Sequence, residues 1–139
     1  MTQSDYKNQW LLSNKQDLEE SYCNVNTAEN LKSIPLSFGN KVVPHIIDMS
    51  SSVNLMNFQR YLALKSEFPD IQLGSHKSSI RVLNDPSIQV GVMGEFYYKF
   101  VINNKTQIVR YLVITSTKEL FDRKCAILCG NDAALLGFD

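Results

Sequence analysis

The sequence has no excess of charge of either sign and no long apolar run. Its 14 Lys and Arg residues balance 14 Asp and Glu residues, and the basic residues form no stripe along the chain. Because attraction to phosphates needs such a basic surface, we expect no nucleic-acid partner. The apolar runs are only a few residues long, far short of a membrane-crossing helix, so we also expect no membrane partner.

Cysteine is scarce as well. The chain has three, Cys23, Cys125 and Cys129, which is an odd number without a Cys-x-x-Cys pair. This pattern favours neither a disulfide framework nor a zinc site, and it is typical of small thiols in a reducing compartment. The first residues, Met1 to Asp5, lack the cationic and apolar character of a signal peptide. Together these features predict an intracellular, cytoplasmic protein.

The two histidines give no sign of a metal or cofactor site. His45 lies in a predicted strand and His76 in a predicted loop, and neither has a cysteine or aspartate at metal-ligand spacing. We therefore predict no metal and no cofactor, and two histidines that are exposed or satisfied by hydrogen bonds. A nucleophilic pair of Cys125 and His76 is an alternative that no motif supports.

Residues 1–32 differ from the rest of the chain. They are polar, rich in Asn, Gln, Ser and Glu, and contain no Gly or Pro. Ser13 is a suitable cap for a short helix through Leu18 to Tyr22, and the apolar residues 10–12 are suited to docking. We interpret this region as a polar N-terminal arm with a short helix.

From Ser33 onward the apolar residues recur with a period of two, which is typical of strands. Residues 53–64 are compatible with a short helix or turn, Asn103-Asn104 suits a tight turn with positive φ, and 133–136 suit a final helical turn. About nine short strands with little helix predict an all-β sandwich or barrel. The strands expected are 34–38, 41–47, 71–73, 80–82, 88–90, 95–102, 107–115 and 126–129.

Three segments follow one another in an order that carries a family resemblance. The first, 43–56, contains Ile-Ile-Asp-Met-Ser-Ser-Ser and comes directly after a hairpin-like stretch at 34–43. Two further hairpins are predicted at 80–90 and 91–114. The third segment, 126–132, reads Ala-Ile-Leu-Cys-Gly-Asn-Asp. Together they resemble the retropepsin family, the retroviral- and retrotransposon-type aspartic proteases, over residues 33–139.

The resemblance implies a small closed acid-protease-like barrel with one short C-terminal helix, forming one subunit of a homodimer. Asp48 matches the catalytic aspartate, and a copy of the chain would supply the second one. Peptide hydrolysis needs both, because two adjacent carboxylates share one proton. The remaining positions carried over are Ser51 and Ser52 and the flap tip Leu83, Asn84, Asp85 and Pro86 as peptide-binding residues, and Gly130, Asn131 and Asp132 as a structural turn.

The sequence departs from the family pattern where the chemistry is most demanding. The family's Asp-Thr/Ser-Gly reads Asp48-Met49-Ser50, so the hydroxyl that joins the two turns and the glycine beside the carboxylate are both replaced. The flap tip has no glycine and contains the stiffening Pro86. The family's last interface strand has no counterpart before Asp139, so we expect another element, or residues outside this sequence, to supply it.

Three functional hypotheses remain open. The departures favour an inactive, pseudoprotease module that forms homodimers or binds a peptide or protein partner. The alternative is an active aspartic endopeptidase that uses the Asp48 pair of a homodimer. The third is an unrelated β-barrel adaptor. A cleavage assay at mildly acidic pH separates the first two hypotheses.

Overall fold

The protein is mostly β, with strands holding about twice as many residues as helices. A computed structural model describes residues 2–13, 21–23, 33–76, 80–82, 89–115 and 126–138. Within these ranges no helix has the length and apolarity needed to cross a membrane. In chain order the elements are α1 (Gln3–Ser13), β1 (Ser21–Cys23), β2 (Ser33–Phe38), β3 (Lys41–Asp48), β4 (Asn54–Asn57), α2 (Phe58–Glu67), β5 (Ile80–Val82), β6 (Gln89–Val90), β7 (Val92–Ile102), β8 (Lys105–Ile114), β9 (Ala126–Cys129) and α3 (Gly130–Leu135).

Six strands form one curled sheet in the order β2-β3-β9-β4-β8-β7. The curl makes a half-barrel whose concave side holds the main core, which includes Leu36, Phe38, Phe96, Tyr111 and Leu128. The period-two pattern of β2 explains this placement, because Ile34, Leu36 and Phe38 are buried while the residues between them are exposed. The short α3 follows directly after β9, as the sequence predicts.

Strand β9 lies between two strands that are consecutive in the chain. It pairs in parallel with β3, where Asp48 is opposite Cys129, and it meets β4 in antiparallel orientation at Leu55 and Ile127. The short loop from β3 to β4 must therefore pass over the carboxyl end of β9. This crossing brings Asp48 next to the start of α3.

A second sheet has the order β1-β5-β6. Its hairpin, β5 and β6, packs through Ile80 and Val90 onto Val53 and Leu55 beside the crossing loop. Strand β1 pairs in parallel with the outer edge of β5. The N-terminal segment thus adds a third strand to the hairpin.

The helix of the N-terminal arm lies earlier in the chain than predicted. It covers Gln3–Ser13, and residues 21–23 form a strand, so the predicted extension of a helix to Tyr22 is wrong; the earlier part of that helix, with Leu18, lies outside the described residues. The reason is a reciprocal cap, in which Thr2 Oγ1 accepts from the Asp5 amide at 3.2 Å and Asp5 Oδ2 accepts from the Thr2 amide at 2.9 Å. The Thr-x-x-Asp spacing was a visible signal for this helix start.

The helix content also exceeds the all-β prediction, which allowed one clear helix at the C-terminus. Asn57 caps α2 by accepting a hydrogen bond from the Arg60 amide at 2.8 Å, and Tyr61 and Leu64 form its buried face. The strand predicted at 71–73 is absent, because Ile71 instead closes the end of α2. Its carbonyl accepts a hydrogen bond from the Tyr61 hydroxyl at 2.7 Å.

The long hairpin of β7 and β8 forms as predicted. Asn103 and Asn104 make its two-residue turn with φ of 50° and 66°, which asparagine tolerates better than most residues. The free edges of β7 and β2 approach each other, and the Gly39 amide donates to the Tyr98 hydroxyl at 3.1 Å. Between them lies a groove of about 530 Å³.

His45 is fully buried in the core, with both ring nitrogens paired. Nδ1 lies 2.9 Å from the Val43 carbonyl and Nε2 lies 2.8 Å from the Tyr111 hydroxyl. Because a carbonyl only accepts, a neutral ring must carry its proton on Nδ1 and accept from Tyr111 through Nε2. Burial lowers the pKa of His45 to about 4, although the bond to Val43 opposes this change.

We expect His45 to make the fold sensitive to mild acid. Unfolded chains take up a proton near pH 6.5, but the folded protein does so only near pH 4. Stability is therefore full above pH 6.5 and falls as the pH drops toward 4. The loss between pH 7 and pH 5 should be about 2 kcal/mol in urea unfolding. In His45→Gln this part of the slope should vanish; an unchanged slope would contradict the assignment.

Candidate functional site

The crossing loop holds the carboxylate of Asp48 within its own turn. Asp48 is the last residue of β3 and is only 5% exposed. Its Oδ1 accepts from the Ser50 amide at 3.0 Å and from Ser50 Oγ at 2.6 Å, and its Oδ2 accepts from Ser51 Oγ at 2.9 Å. The Ser51 amide also donates to the Asp48 carbonyl at 3.2 Å. The small serines suit the turn because their hydroxyls bond back to nearby backbone and side-chain groups.

These hydrogen bonds occupy most of the carboxylate. An ionised carboxylate offers about four lone-pair positions, and the two serines already use three of them. A carboxylate that activates water must hold that water and share a proton with a second acid. Asp48 in this arrangement keeps one such lone-pair position, on Oδ2.

Met49 stands out on the surface beside the buried aspartate. Its side chain is 74% exposed, the highest value among the exposed large apolar residues of the described chain. Both its backbone and the distal end of its side chain lie against Gly130, where an added Cβ would be 2.7 Å from Met49 Sδ and 3.1 Å from Met49 Cα. The first and third sequence motifs are therefore in direct contact, although about 80 residues separate them.

A buried polar network lies beneath this contact. Asn54 Nδ2 donates to Asp132 Oδ2 at 2.6 Å and to the Arg110 carbonyl at 2.8 Å, while Asn54 Oδ1 accepts from the Cys129 amide at 2.9 Å. Cys129 Sγ donates to the same Asp132 oxygen at 3.5 Å. The network joins β4, β8, β9 and α3, so Asp132 occupies a structural position.

Burial controls the ionisation of this network. It raises the pKa of Asp132, an effect that the hydrogen bonds from Asn54 and Cys129 reduce. Burial and the neighbouring charge of Asp132 raise the pKa of the Cys129 thiol to about 12. A thiol that stays protonated at neutral pH is a poor nucleophile, so Cys129 serves here as a packing residue and weak donor.

The remaining predicted site residues are only partly described. Ser52 and Asn131 are exposed, whereas Ser51 is buried and bonded to Asp48. Leu83, Asn84, Asp85 and Pro86 of the predicted flap tip lie outside the described residues, as does Cys125. Over the described parts of the chain, no group of three His, Cys, Asp or Glu side chains could hold a metal ion.

Sequence reasoning missed the role of Asn54. An asparagine within a short apolar strand is an unfavourable choice for strand formation, which was the only local sign of a buried partner. The partner itself, Asp132, is 78 residues away and was assigned only a structural turn. Glu95, a third buried carboxylate beside Asp48 and Asp132, was also missed, since the sequence around it shows only a charged residue before an aromatic run.

Comparison of the chain with protein-family models, with curated proteins and with solved structures found no match.

We predict that Gly130→Ala destabilises the fold by about 1 kcal/mol, because its Cβ would lie 3.1 Å from the backbone Cα of Met49, whereas the exposed Sδ end of that side chain can rotate away. Adding Met49→Ala should therefore recover little of this loss, since the backbone contact to Met49 Cα remains. Gly91→Ala is the matched control, since an added Cβ there meets nothing within 4 Å. Urea unfolding measures all four proteins; equal effects at Gly130 and Gly91 would contradict the contact.

Proposed function

We propose that this protein is a retropepsin-like, inactive module that pairs with a copy of itself and presents a peptide- or protein-binding surface around the Asp48 turn. The observation that carries the proposal is the state of Asp48. Its carboxylate is buried and bonded by Ser50 and Ser51 of the same turn, while the adjacent Met49 faces outward.

The path of the chain around the site supports the family part of the proposal. The resemblance relates the Asp48 turn to the Gly130-Asn131-Asp132 turn, and the fold has β3 and β9 side by side with Met49 touching Gly130. A hairpin, β5 and β6, packs beside the same loop, as a flap would. An unrelated β-barrel adaptor gives no reason for these three features to meet.

The chemistry supports inactivity. Aspartic proteases need two carboxylates close enough to share a proton, with a water between them. Ser50 places a hydroxyl at 2.6 Å from Oδ1, where the family's glycine leaves space. A second carboxylate or a catalytic water would have to displace that hydroxyl. Because small displacements of reacting groups cost large factors in rate, we infer that the pair is not competent.

The resemblance, rather than exposure alone, supports pairing. A single exposed apolar side chain is common on monomers, but Met49 is exposed directly beside the Asp48 turn, where the turn of a second copy would meet it. A twofold axis beside the turn would bring two Met49 side chains together and replace the family's hydroxyl contact by an apolar one.

The active endopeptidase is the second candidate. The amide of Ser50 and the hydroxyl of Ser51 fix the orientation of Asp48, as a catalytic carboxylate requires. If pairing were to move Ser50 Oγ away from Oδ1, one carboxylate per subunit would be available.

We expect the unmodified protein to show no peptidase activity. The measurement is incubation with a denatured protein mixture at pH ~4–6, where a carboxylate pair can hold one proton. Asp48→Asn should leave folding and pairing nearly unchanged, since the serine hydroxyls can donate to the new carbonyl and accept from the new amide. Cleavage that disappears on this substitution would replace our proposal with the endopeptidase.

In the same cleavage assay, the double variant Met49→Thr with Ser50→Gly is the protein expected to gain activity. It supplies the hydroxyl for the neighbouring turn and removes the one that covers Oδ1, so slow cleavage is expected. Val42→Thr with Ser37→Gly is the control, because both residues are exposed and pair with each other on β2 and β3, away from the Asp48 turn. Equal activity in both variants would show that positioning by Met49 and Ser50 is not the defect.

A further inference from the structure

Helix α1 is fastened to the hairpin of β7 and β8 by specific contacts. The side chain of Gln3 bonds the backbone of Tyr97 in both directions, with its Oε1 accepting from the amide at 2.7 Å and its Nε2 donating to the carbonyl at 2.9 Å. A side chain that pairs with one residue's amide and carbonyl imitates a neighbouring strand. The N-terminal end of α1 is therefore fixed in register on β7.

The charged contact of α1 is made to a buried carboxylate. Glu95 is 5% exposed, and Lys7 Nζ lies 3.9 Å from its Oε2. The Tyr97 hydroxyl donates to the same oxygen, and His76 Nδ1 lies 3.0 Å from Oε1. Arg110 of β8 contributes a further positive charge. Among the described residues these are the titratable or charged groups that face Glu95.

The environment of Glu95 favours its ionised form. Burial acts to raise its pKa, but the hydrogen bonds from His76 and Tyr97 and the charges of Lys7 and Arg110 outweigh burial, so the pKa is lowered. The carboxylate therefore stays charged at neutral pH. Its share of the stability is lost only as the pH falls below the ordinary value of 4.5.

The C-terminal half of α1 is anchored by Trp10, the only tryptophan of the chain. Its ring is buried, meets the Tyr97 ring edge-on with centroids 5.8 Å apart, and lies under the Arg110 guanidinium at 4.4 Å. Such a cation–π contact is stronger when it is shielded from water. Gln3, Lys7 and Trp10 thus all attach to a patch formed by Glu95, Tyr97 and Arg110.

Seven residues, 14–20, connect this anchored helix to β1, which pairs with the edge of β5. A tether of this length keeps β1 at high effective concentration beside that edge. An isolated pairing of two strands is only marginally stable, so the three residue pairs between β1 and β5 gain from a further attachment. The attachment of α1 therefore governs how firmly β1 stays on the hairpin.

We propose that the N-terminal segment is an intramolecular clamp, in which α1 docked on Glu95 and Tyr97 keeps β1 on β5 and so holds the β5–β6 hairpin against the Asp48 loop. The importance of this hairpin rests on the proposed function, since it packs on Val53 and Leu55 beside the candidate peptide site. Release of α1 would loosen the hairpin and free the edge of β5 for an extended segment of a partner.

Lys7→Glu tests the clamp. Lys7 is 47% exposed, so the change does not disturb the core but places a like charge beside Glu95. We expect Trp10 emission to shift to the red and the amides of β5 and β6 to exchange with solvent about tenfold faster, while β8 and β9 keep their protection. Gln3→Ala, which removes the backbone contacts without a charge change, should act in the same direction.

Lys41→Glu is the matched control, because Lys41 is 46% exposed and lies 3.6 Å from the exposed Glu67. It should leave both signals unchanged. Unshifted Trp10 emission in Lys7→Glu would overturn the anchor, and shifted emission with unchanged β5–β6 exchange would overturn the coupling. Neither readout needs a ligand or a dimer. Loosening of the hairpin in a protein that neither pairs nor binds peptide would therefore support the clamp and refute the proposed function.

Discussion

The crossing of the β3–β4 loop over the end of β9 constrains the whole site. Two consecutive strands are held apart by a third strand that arrives about 80 residues later in the chain, so their connection has little room. Three small residues, the serines 50–52, occupy most of the loop, and Gly130 lies beneath it. The side chain of Met49 is exposed to solvent. The same crossing buries Asp48 at the carboxyl end of β3, an inner strand of the sheet.

Burial at this end of the strands requires that each polar group have a hydrogen-bond partner, because an unpaired polar group away from water is costly. Asn54 satisfies Asp132, the Cys129 amide and the Arg110 carbonyl, and Ser50 and Ser51 satisfy Asp48. Within the described chain no buried side-chain nitrogen or oxygen lacks a hydrogen bond. For Asp48, the two serines occupy three of its about four acceptor positions.

Local patterns predicted much of the fold. A period of two in the apolar residues predicted β2 and β7, and the Asn103-Asn104 pair predicted a tight turn. The residues that follow β9 predicted the short final helix. Ile71 misled the strand prediction, because its apolar side chain serves the end of α2 rather than a ladder. The Thr-x-x-Asp spacing of the Thr2 cap is present in the sequence, but it is a weaker signal for a helix start than the polar pattern that follows it.

In the candidate site, too, single turn residues were predictable from the sequence, whereas contacts between distant residues were not. Asp48 and Gly130 were predictable as turn residues because each lies in a short recognisable segment. The contact of Met49 with Gly130 depends on strand order, and so does the bond of Asn54 to the Cys129 amide 75 residues away. The cluster at Glu95 joins α1, β7, β8 and the loop of His76, so no single stretch of sequence contains its pattern.

In the proposed dimer, the Asp48 turns of the two copies face each other across a twofold axis. Oxidative cross-linking of Met49→Cys, with Cys23 and Cys125 replaced by serine, tests it most directly. A disulfide forms only when the two Cα atoms come within about 7 Å. Val101→Cys, 68% exposed on β7 compared with 74% for Met49, controls for random collision. We predict rapid cross-linking at position 49 alone. A strict monomer, or a dimer that cross-links equally well at 101, would contradict the account.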